Sequence, residues 1–270
     1  MDSKFNMKGK IAIVTGGGGV LGSAMAFSLA KQGVITVIIG RNIDKLQATV
    51  NQIITAGGEA IYMQCDVLNT DNLESVKKSV LEKYGQLDIL INAAGGNMPG
   101  ATISPEQAIF DLQLDALQSV IDLNIIGTIL PSKVFSEIFA KQKSGIIINI
   151  SSTSAQNPLS RVVGYSASKA AIENFTKWLA VELAGKYGDG IRVNAIAPGF
   201  FIGEQNKNLL LNPNGELTAR GEKIIAHTPM KRFGNPQDLE GALLFLASDL
   251  SIFITGIVIP VDGGFAATSI

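Results

Sequence analysis

Tyr165 and Lys169 stand four residues apart in "YSASKAAIENFTKWLAVEL", a stretch whose pattern reads as a helix, so the two side chains share one face. A free tyrosine, with a pKa of about 10, is a poor proton donor or acceptor near neutrality. A neighbouring ammonium favours the phenolate and is expected to draw that pKa down, which turns the phenol into a usable acid/base. Ser152 lies upstream at the end of the strand-like run "GIIINIS", where its hydroxyl could hydrogen-bond a carbonyl oxygen. The three residue types together suit proton transfer at a carbonyl or an alcohol.

A second chemical feature is "TGGGGVLG", Thr15 to Gly22, directly after the apolar run "KIAIVT". The dinucleotide pattern G-x-G-x-x-G fits on Gly17, Gly19 and Gly22, in the strand-then-helix context it requires. Glycines permit close backbone approach, and a helix N-terminus offers N–H groups and a favourable dipole to a pyrophosphate. A longer pattern, T-G-x-x-x-G-x-G, fits on Thr15, Gly16 and Gly22 but finds Val20 at its middle glycine. Valine tolerates helical φ and resists positive φ. The loop is therefore expected to have Val20 already in the helix, with Gly17 to Gly19 making the turn.

The elements that must position these residues are legible as alternation. Strand candidates fall at 10–15, 34–39, 59–65, 86–93, 145–151, 190–197 and 256–261, nearly continuous in Ile and Val as strands buried on both faces should be. Amphipathic stretches such as "DKLQATVNQIITAGG" and "TDNLESVKKSVLEKYG" separate them, with Gly33, Gly57 and Gly85 as C-terminal stops. Such βα alternation predicts an α/β fold, a doubly wound Rossmann-type parallel sheet of about seven strands with helices on both faces. No linker divides residues 1–270, which read as one domain. The polar, helical stretch 200–226 interrupts the alternation and is expected to form a substrate loop or lid.

Bulk properties narrow the function. Lys+Arg number 22 against Asp+Glu 23, with no long block of one sign, which disfavours nucleic acid and polybasic membrane binding. The apolar runs are each shorter than a membrane span, and "MDSKFNMKGK" has no apolar signal region, so a cytoplasmic protein is expected. Cys65 and His227 are the only cysteine and histidine. No disulfide within the chain is possible and a metal site is not expected; Cys65 reads as a buried thiol at a strand end.

At this point the chain resembles the short-chain dehydrogenase/reductase family over nearly its whole length. The resemblance is carried by "TGGGGVLG", "CDV" with Asp66, "NAAG" (Asn92 to Gly95), Asn124 in "DLNIIG", Ser152, "YSASK", "APG" with Pro198 and Gly199, and "VDGG". It implies a nicotinamide dinucleotide lying along Gly16, Gly18, Gly19, Val20, Leu21, Arg41, Asp66, Val67, Asn92, Ala93, Gly95, Pro198 and Gly199, with Tyr165 and Lys169 at its nicotinamide end. It further implies Tyr165 as acid/base, Ser152 orienting the carbonyl, Lys169 lowering the tyrosine pKa and holding the ribose, and Asn124 supporting a water-linked proton path. The family often has a threonine after "PG" where this chain has Gly203; a backbone N–H or a neighbouring side chain could replace it. Homotetramers are common in the family, with helices around 105–143 and 163–187 at interfaces.

The second strand ends "VIIGRN", with no acidic residue for the ribose hydroxyls, and Arg41 can pair with a 2′-phosphate. NADP(H) is favoured, with NAD(H) as the alternative if Arg41 only stacks on adenine. The stretches "GGNMPGAT", "LSRVVGYSASK", "APGFFIGEQNK" and "IIAHTPMKRFG" resemble the subgroup assigned as D-mannonate oxidoreductase, or fructuronate reductase. A hexuronate needs a cation for its carboxylate and polar groups for its hydroxyls. Arg161 is the candidate cation, or else a surface loop residue, with Lys207 as a second. Asn97 and Gln205 are candidates for the hydroxyls, followed by Gln156, Glu204 and Asn206, although "EQNK" also reads as a solvated helix start. His227 is expected to cap or pack, and Arg232 to brace the substrate loop. Gluconate 5-dehydrogenase-like or 3-oxoacyl-thioester reductase activity are the enzymatic alternatives. A non-catalytic dinucleotide-binding protein, or a methyltransferase with a similar glycine loop, would have no use for the tyrosine–lysine pair.

Overall fold

The computed structural model describes residues 5–268 except 158 and 205. Seven parallel strands form one sheet: β1 (Ile11–Thr15), β2 (Ile35–Gly40), β3 (Ala60–Gln64), β4 (Ile89–Asn92), β5 (Gly145–Ile150), β6 (Ile191–Pro198) and β7 (Val258–Val261). Their spatial order is β3-β2-β1-β4-β5-β6-β7. The chain runs outward from β1 to one edge, then returns to cross to β4, so the topological switch lies between β1 and β4. In open parallel sheets, ligands bind outside the carboxyl ends of the strands at this crevice.

Strand alternation sends side chains to two cores. Ala12, Val14, Ile89 and Ile91 face Met25 and Leu29 of α1 (Val20–Lys31), Val50 and Ile53 of α2 (Ile43–Thr55), and a C-terminal helix over 240–247. Ile11, Ile13, Leu90 and Ile147 face α3 (Thr70–Tyr84) and the long central helices. β1, β4, β5 and β6 are buried along their full lengths, whereas the edge strands β3 and β7 are partly exposed. Gly33, Gly57 and Gly85 all take positive φ just past the ends of α1, α2 and α3, as their placement predicts. Cys65 is buried directly after β3, and burial pushes its thiol up to about 11, so it is no nucleophile at neutral pH.

The expected helix around 105–143 begins later than its span suggests. Residues 99–113 form turns in which side chains take up backbone donors: Ser104 N–H donates to Gln107 Oε1 (2.8 Å) and Ala108 N–H to Asp111 Oδ2 (2.8 Å). Regular helix starts with α4 (Leu114–Ile121), passes through a π-helical turn at Asp122–Ile126, and continues as α5 (Gly127–Gln142). By length and composition this continuous helix could cross a membrane, which the separate apolar runs do not reveal; 56% of its most apolar window is buried inside the protein, as in a core helix. The other long helix, α6 (Val163–Tyr187), has its predicted span.

After β6, the stretch 200–226 forms a short helix α7 (Lys207–Leu210), an isolated antiparallel bridge between Leu211 and Leu217, and α8 (Ala219–His227). The last helix, α9 (Glu240–Ala247), then leads to β7.

Candidate active site

The glycine loop leaves β1 at the switch point. Gly16 is its one left-handed residue (φ +62°), and a Cβ there would stand 2.8–2.9 Å from the backbone of Ala93 and Ala94. The turn runs from Gly16 to Gly19, so it includes the expected Gly17 to Gly19 and adds Gly16 as its left-handed residue. The later glycines also serve close approach: a Cβ on Gly17 would overlap the Ile38 side chain, one on Gly22 the Gly16 carbonyl, and one on Gly18 would press on Lys45. Val20 is the first residue of α1, as expected, and does not take positive φ. Gly19 N–H is spent on the Gly16 carbonyl (2.9 Å), so Gly19 guides the chain into the helix rather than donating outward. No side chain caps α1 and no acidic residue occupies its first turn. The first-turn N–H groups, Val20 and Leu21 among them, thus have no intrahelical partner and sit at the positive end of the helix dipole. A cradle that excludes any Cβ, facing an uncapped helix start, fits a dinucleotide pyrophosphate.

Thr15 joins this loop to its neighbour. Its Oγ1 accepts from Ala93 N–H and Ala94 N–H, both at 3.0 Å, fixing the start of "AAG" against the end of β1. In the sequence Thr15 has only a place in a pattern; its two acceptor contacts follow from the pairing of β1 with β4. Asn92 turns the other way. It is buried, and its amide donates to Ser132 Oγ and Asn149 Oδ1 (both 2.8 Å), so its side chain belongs to the interior and not to a ligand. Gly95 lies where a Cβ would come 2.7 Å from Asn124 Oδ1 and 3.2 Å from Lys169 Nζ. Asn124 itself sits in the π-helical turn, donating to the Gly96 and Val120 carbonyls (2.7 and 2.8 Å) and accepting from Gly96 N–H (3.1 Å). Single π turns are frequent at functional sites because they re-aim one side chain out of the helical ladder.

Ser152 follows β5, and α6 carries Tyr165 and Lys169. The Tyr165 hydroxyl hydrogen-bonds the Ser152 hydroxyl, which also accepts from Ser154 N–H at 3.1 Å. Lys169 is 4% exposed; its Nζ donates to the Ile150 carbonyl (2.8 Å) and stands 5.4 Å from the centre of the Tyr165 ring. The grouping matches expectation, but the electrostatics differ from it. Burial raises the Tyr165 pKa, and the Ser152 hydrogen bond only partly offsets this. Burial also lowers Lys169 to about 8. In the protein without ligand, desolvation of both groups outweighs the help the ammonium gives to a phenolate.

A lysine whose folded pKa is about 8, against its usual 10.5, loses its proton in the native state before the unfolded chain does. Between these two values the unfolded state binds more protons, so this group alone makes stability rise with pH from about 8 to 10.5. Lysine side-chain NMR of the cofactor-free protein should show one ammonium titrating near pH 8. Every lysine titrating at 10 or above would show that Lys169 is hydrated.

The flanks of the site divide into groups that point outward and groups spent on structure. Arg41 is exposed at the end of β2, its carbonyl accepting from Gln64 Nε2 at 3.0 Å. Asp66 Oδ1 accepts from Leu68 N–H (3.0 Å), and Val67 is buried. Pro198 ends β6, and a Cβ on Gly199 would stand 2.7 Å from Asp262. The amide of Asn97 donates to Thr102 Oγ1 (2.8 Å) within its own loop. Gln156 donates to Glu173 (3.1 Å), Glu204 pairs with Lys45, and Asn206 donates to the Phe201 carbonyl (2.8 Å) while accepting from Gly203 N–H (2.8 Å). These three are thus occupied by the fold, and so is the Gly203 N–H considered as a stand-in for a threonine. Gln205 lies outside the described residues. Arg232 braces its loop through Asp238 (2.5 and 3.1 Å), and His227 packs edge-on to Phe265 (4.7 Å between ring centres), as expected of both.

Comparison with known proteins gives this geometry a family. A family model described as enoyl-(acyl carrier protein) reductase matches residues 19–266. An uncharacterized oxidoreductase of Bacillus subtilis (strain 168), UxuB, is 48% identical over 98% of this chain and 97% of its own. The chain belongs to the short-chain dehydrogenase/reductase family. A crystal structure, with bound NAD, of a protein assigned as a D-mannonate oxidoreductase from Haemophilus influenza superposes with a TM-score of 0.91 at 41% identity, covering 98% of this chain and 97% of that one. A protein from Beutenbergia cavernae assigned as an NAD(P)-dependent gluconate 5-dehydrogenase, with NADP at low occupancy, gives 0.85 at 29% identity over 98% and 100% of the two chains. This dehydrogenase/reductase is thus an oxidoreductase whose solved relatives hold nicotinamide dinucleotides at the same fold.

Proposed function

We propose that this enzyme interconverts a ketone and a secondary alcohol on a sugar acid, with D-fructuronate and D-mannonate as the pair. The observation that carries the reaction type is the Ser152–Tyr165 hydrogen bond beside the buried Lys169. Ser152 would orient the carbonyl oxygen, Tyr165 would give it a proton or remove one from the alcohol, and Lys169 would bind the ribose and restore the phenol's proton with Asn124. A nicotinamide dinucleotide, when bound, supplies the hydride or accepts it. Gly16, Gly18, Val20 and Leu21 would hold its pyrophosphate, with Ala93, Gly95, Pro198 and Gly199 toward the nicotinamide. The sugar-acid reading draws support from the relative assigned as a D-mannonate oxidoreductase.

The cofactor proposed first is NADP(H), because Arg41 is exposed at the end of β2 and no acidic residue stands there; NAD(H) is second. Further proposals are one domain over 1–270 with 200–226 as its substrate loop, a homotetramer, and a cytoplasmic location.

The test is the absorbance decay of NADPH, and in parallel NADH, on addition of D-fructuronate. Turnover dependent on fructuronate supports the reading. Cofactor bound without turnover would move the search to other keto acids and acyl thioesters. Replacing Arg41 with alanine is expected to raise the NADPH KM roughly 10- to 100-fold, the range for a lost guanidinium–phosphate pair, while NADH shifts little. An equal effect on both cofactors would mean that Arg41 only stacks on adenine.

A further inference from the structure

Arg220, from a segment far away in the chain, reaches the loop that carries Arg161 just before the start of α6. Arg161 lies four residues before Tyr165 and takes φ +79°, one of three non-glycine residues with positive φ among those described. Its backbone is held there by Ile103 N–H, which donates to the Arg161 carbonyl at 3.0 Å. Non-glycine residues persist in this region only where surrounding structure over-determines them, and such positions cluster at ligand clamps. Arg220, in the first turn of α8, reaches back to the same loop, with Nη1 3.4 Å from Ser160 Oγ. Apolar packing braces the contact, since Leu159 joins the cluster of Leu210, Ile224 and Phe265.

Both arginines are half-buried, and among the described residues neither forms an ion pair. The other partly or fully enclosed guanidinium is provided for differently: buried Arg192 donates to two carbonyls and a hydroxyl. Two like charges drawn together by the fold repel, and the proximity is felt, since burial and the Arg161 charge both lower the Arg220 pKa. An anion between the two forks would turn that repulsion into charge-assisted, bidentate hydrogen bonding.

The geometry points to Arg161 and Arg220 as a two-guanidinium receptor for the substrate carboxylate, with Arg220 a specificity-determining residue delivered by the 200–226 insertion. This rests on the sugar-acid reading above. In D-fructuronate three hydroxylated carbons separate the carboxylate from the ketone. The acid end would be held at the arginine pair and the ketone turned toward Tyr165 and Ser152. D-fructose is the same ketose with a hydroxymethyl group in place of the carboxylate, so the pair discriminates between them by charge alone.

The decisive comparison is R220Q against wild type, with R220K as a variant that keeps the charge and loses the fork. Calorimetric titration of D-mannonate into protein saturated with reduced cofactor reads binding without turnover. R220Q is expected to weaken mannonate roughly 30- to 100-fold, with R220K intermediate and the melting temperatures unchanged. In turnover, the ratio of kcat/KM for fructuronate to that for fructose should fall by the same factor, through the fructuronate KM. Mannonate binding that is unaltered in R220Q, or absent from the wild type, overturns the receptor. Mannonate binding lost in R220Q without fructuronate turnover by the wild type would uphold the receptor and reject the proposed substrate.

Discussion

Replacing Tyr165 with phenylalanine is expected to lower kcat roughly 10³-fold in both directions, within the range usual for loss of a positioned general acid/base. The substitution removes one oxygen and leaves the ring that packs 5.4 Å from Lys169 Nζ. The buried Lys169, the Gly95 approach and the glycine cradle all remain, so cofactor affinity should change by less than about threefold, the effect of a small loss in hydrogen bonding. Fluorescence titration of reduced cofactor alongside steady-state kinetics separates the two effects. A variant retaining more than about a tenth of wild-type kcat would transfer the proton-transfer role elsewhere. The pH dependence carries a sign. Burial holds the Tyr165 phenol above its usual range, so in the ligand-free protein the proton is on the oxygen at neutrality, ready for carbonyl reduction. Alcohol oxidation needs the phenolate and should accelerate as pH rises, whereas reduction should slow once that proton is lost. Deprotonation of Lys169 near pH 8 removes the ammonium that favours the phenolate and would flatten the rise in oxidation.

The fold was largely legible because its strands are buried on both faces. A strand such as "IAIVT", covered by α1 on one side and α3 on the other, must be apolar throughout, and a periodic helix between such strands leaves little freedom in topology. Tyr165 and Lys169 were legible for a related reason: their spacing survives any error at the ends of α6. What the sequence concealed depends on contacts across the switch point. Gly16 and Gly17 look alike as letters, yet only Gly16 is left-handed, because only it must pass over the Ala93–Ala94 backbone. Asn92 and Asn124 also look alike, and one faces the interior while a π turn carries the other to Lys169. The polar residues of "GEQNK" read as hydroxyl ligands, but a loop between β6 and α7 has its own backbone donors and acceptors to satisfy, and Asn206 is spent on them. Nothing in the sequence neighbourhood of Arg220 relates it to Arg161; only the return of α8 onto the loop before α6 does so.

Arg192→Met is expected to cost about 2–4 kcal/mol of unfolding free energy, the largest stability effect anticipated for a residue outside the site. Arg192 is 5% exposed on β6 and has no carboxylate within ion-pair distance among the described residues. Its guanidinium instead donates to the Leu246 carbonyl (3.0 Å), the Ser248 carbonyl (3.0 Å) and Ser251 Oγ (2.7 Å). Two of these acceptors lie at the end of α9, where carbonyls lack intrahelical partners and the helix dipole favours a cation. Burial lowers the arginine's pKa, with the nearby Asp249 opposing it, and the group stays charged at any ordinary pH. Methionine fills a similar volume but removes the charged donor; Ser251 Oγ, 3.1 Å from both carbonyls, can serve only one of them at a time, and an acceptor left unsatisfied costs about 1–3 kcal/mol. Lysine keeps the charge without the fork and should recover part of the loss. Urea unfolding with an unchanged m-value is the measurement, and a shift under about 0.5 kcal/mol would show that water replaces the guanidinium at little cost. The consequence reaches the site through α9, which packs with α1 in one core beneath the glycine loop. Because α1 must hold its uncapped N-terminus against that loop, the variant should gain less in melting temperature from added cofactor if loosening spreads to α1, which weakens cofactor binding, and the same as wild type if it stops at α9.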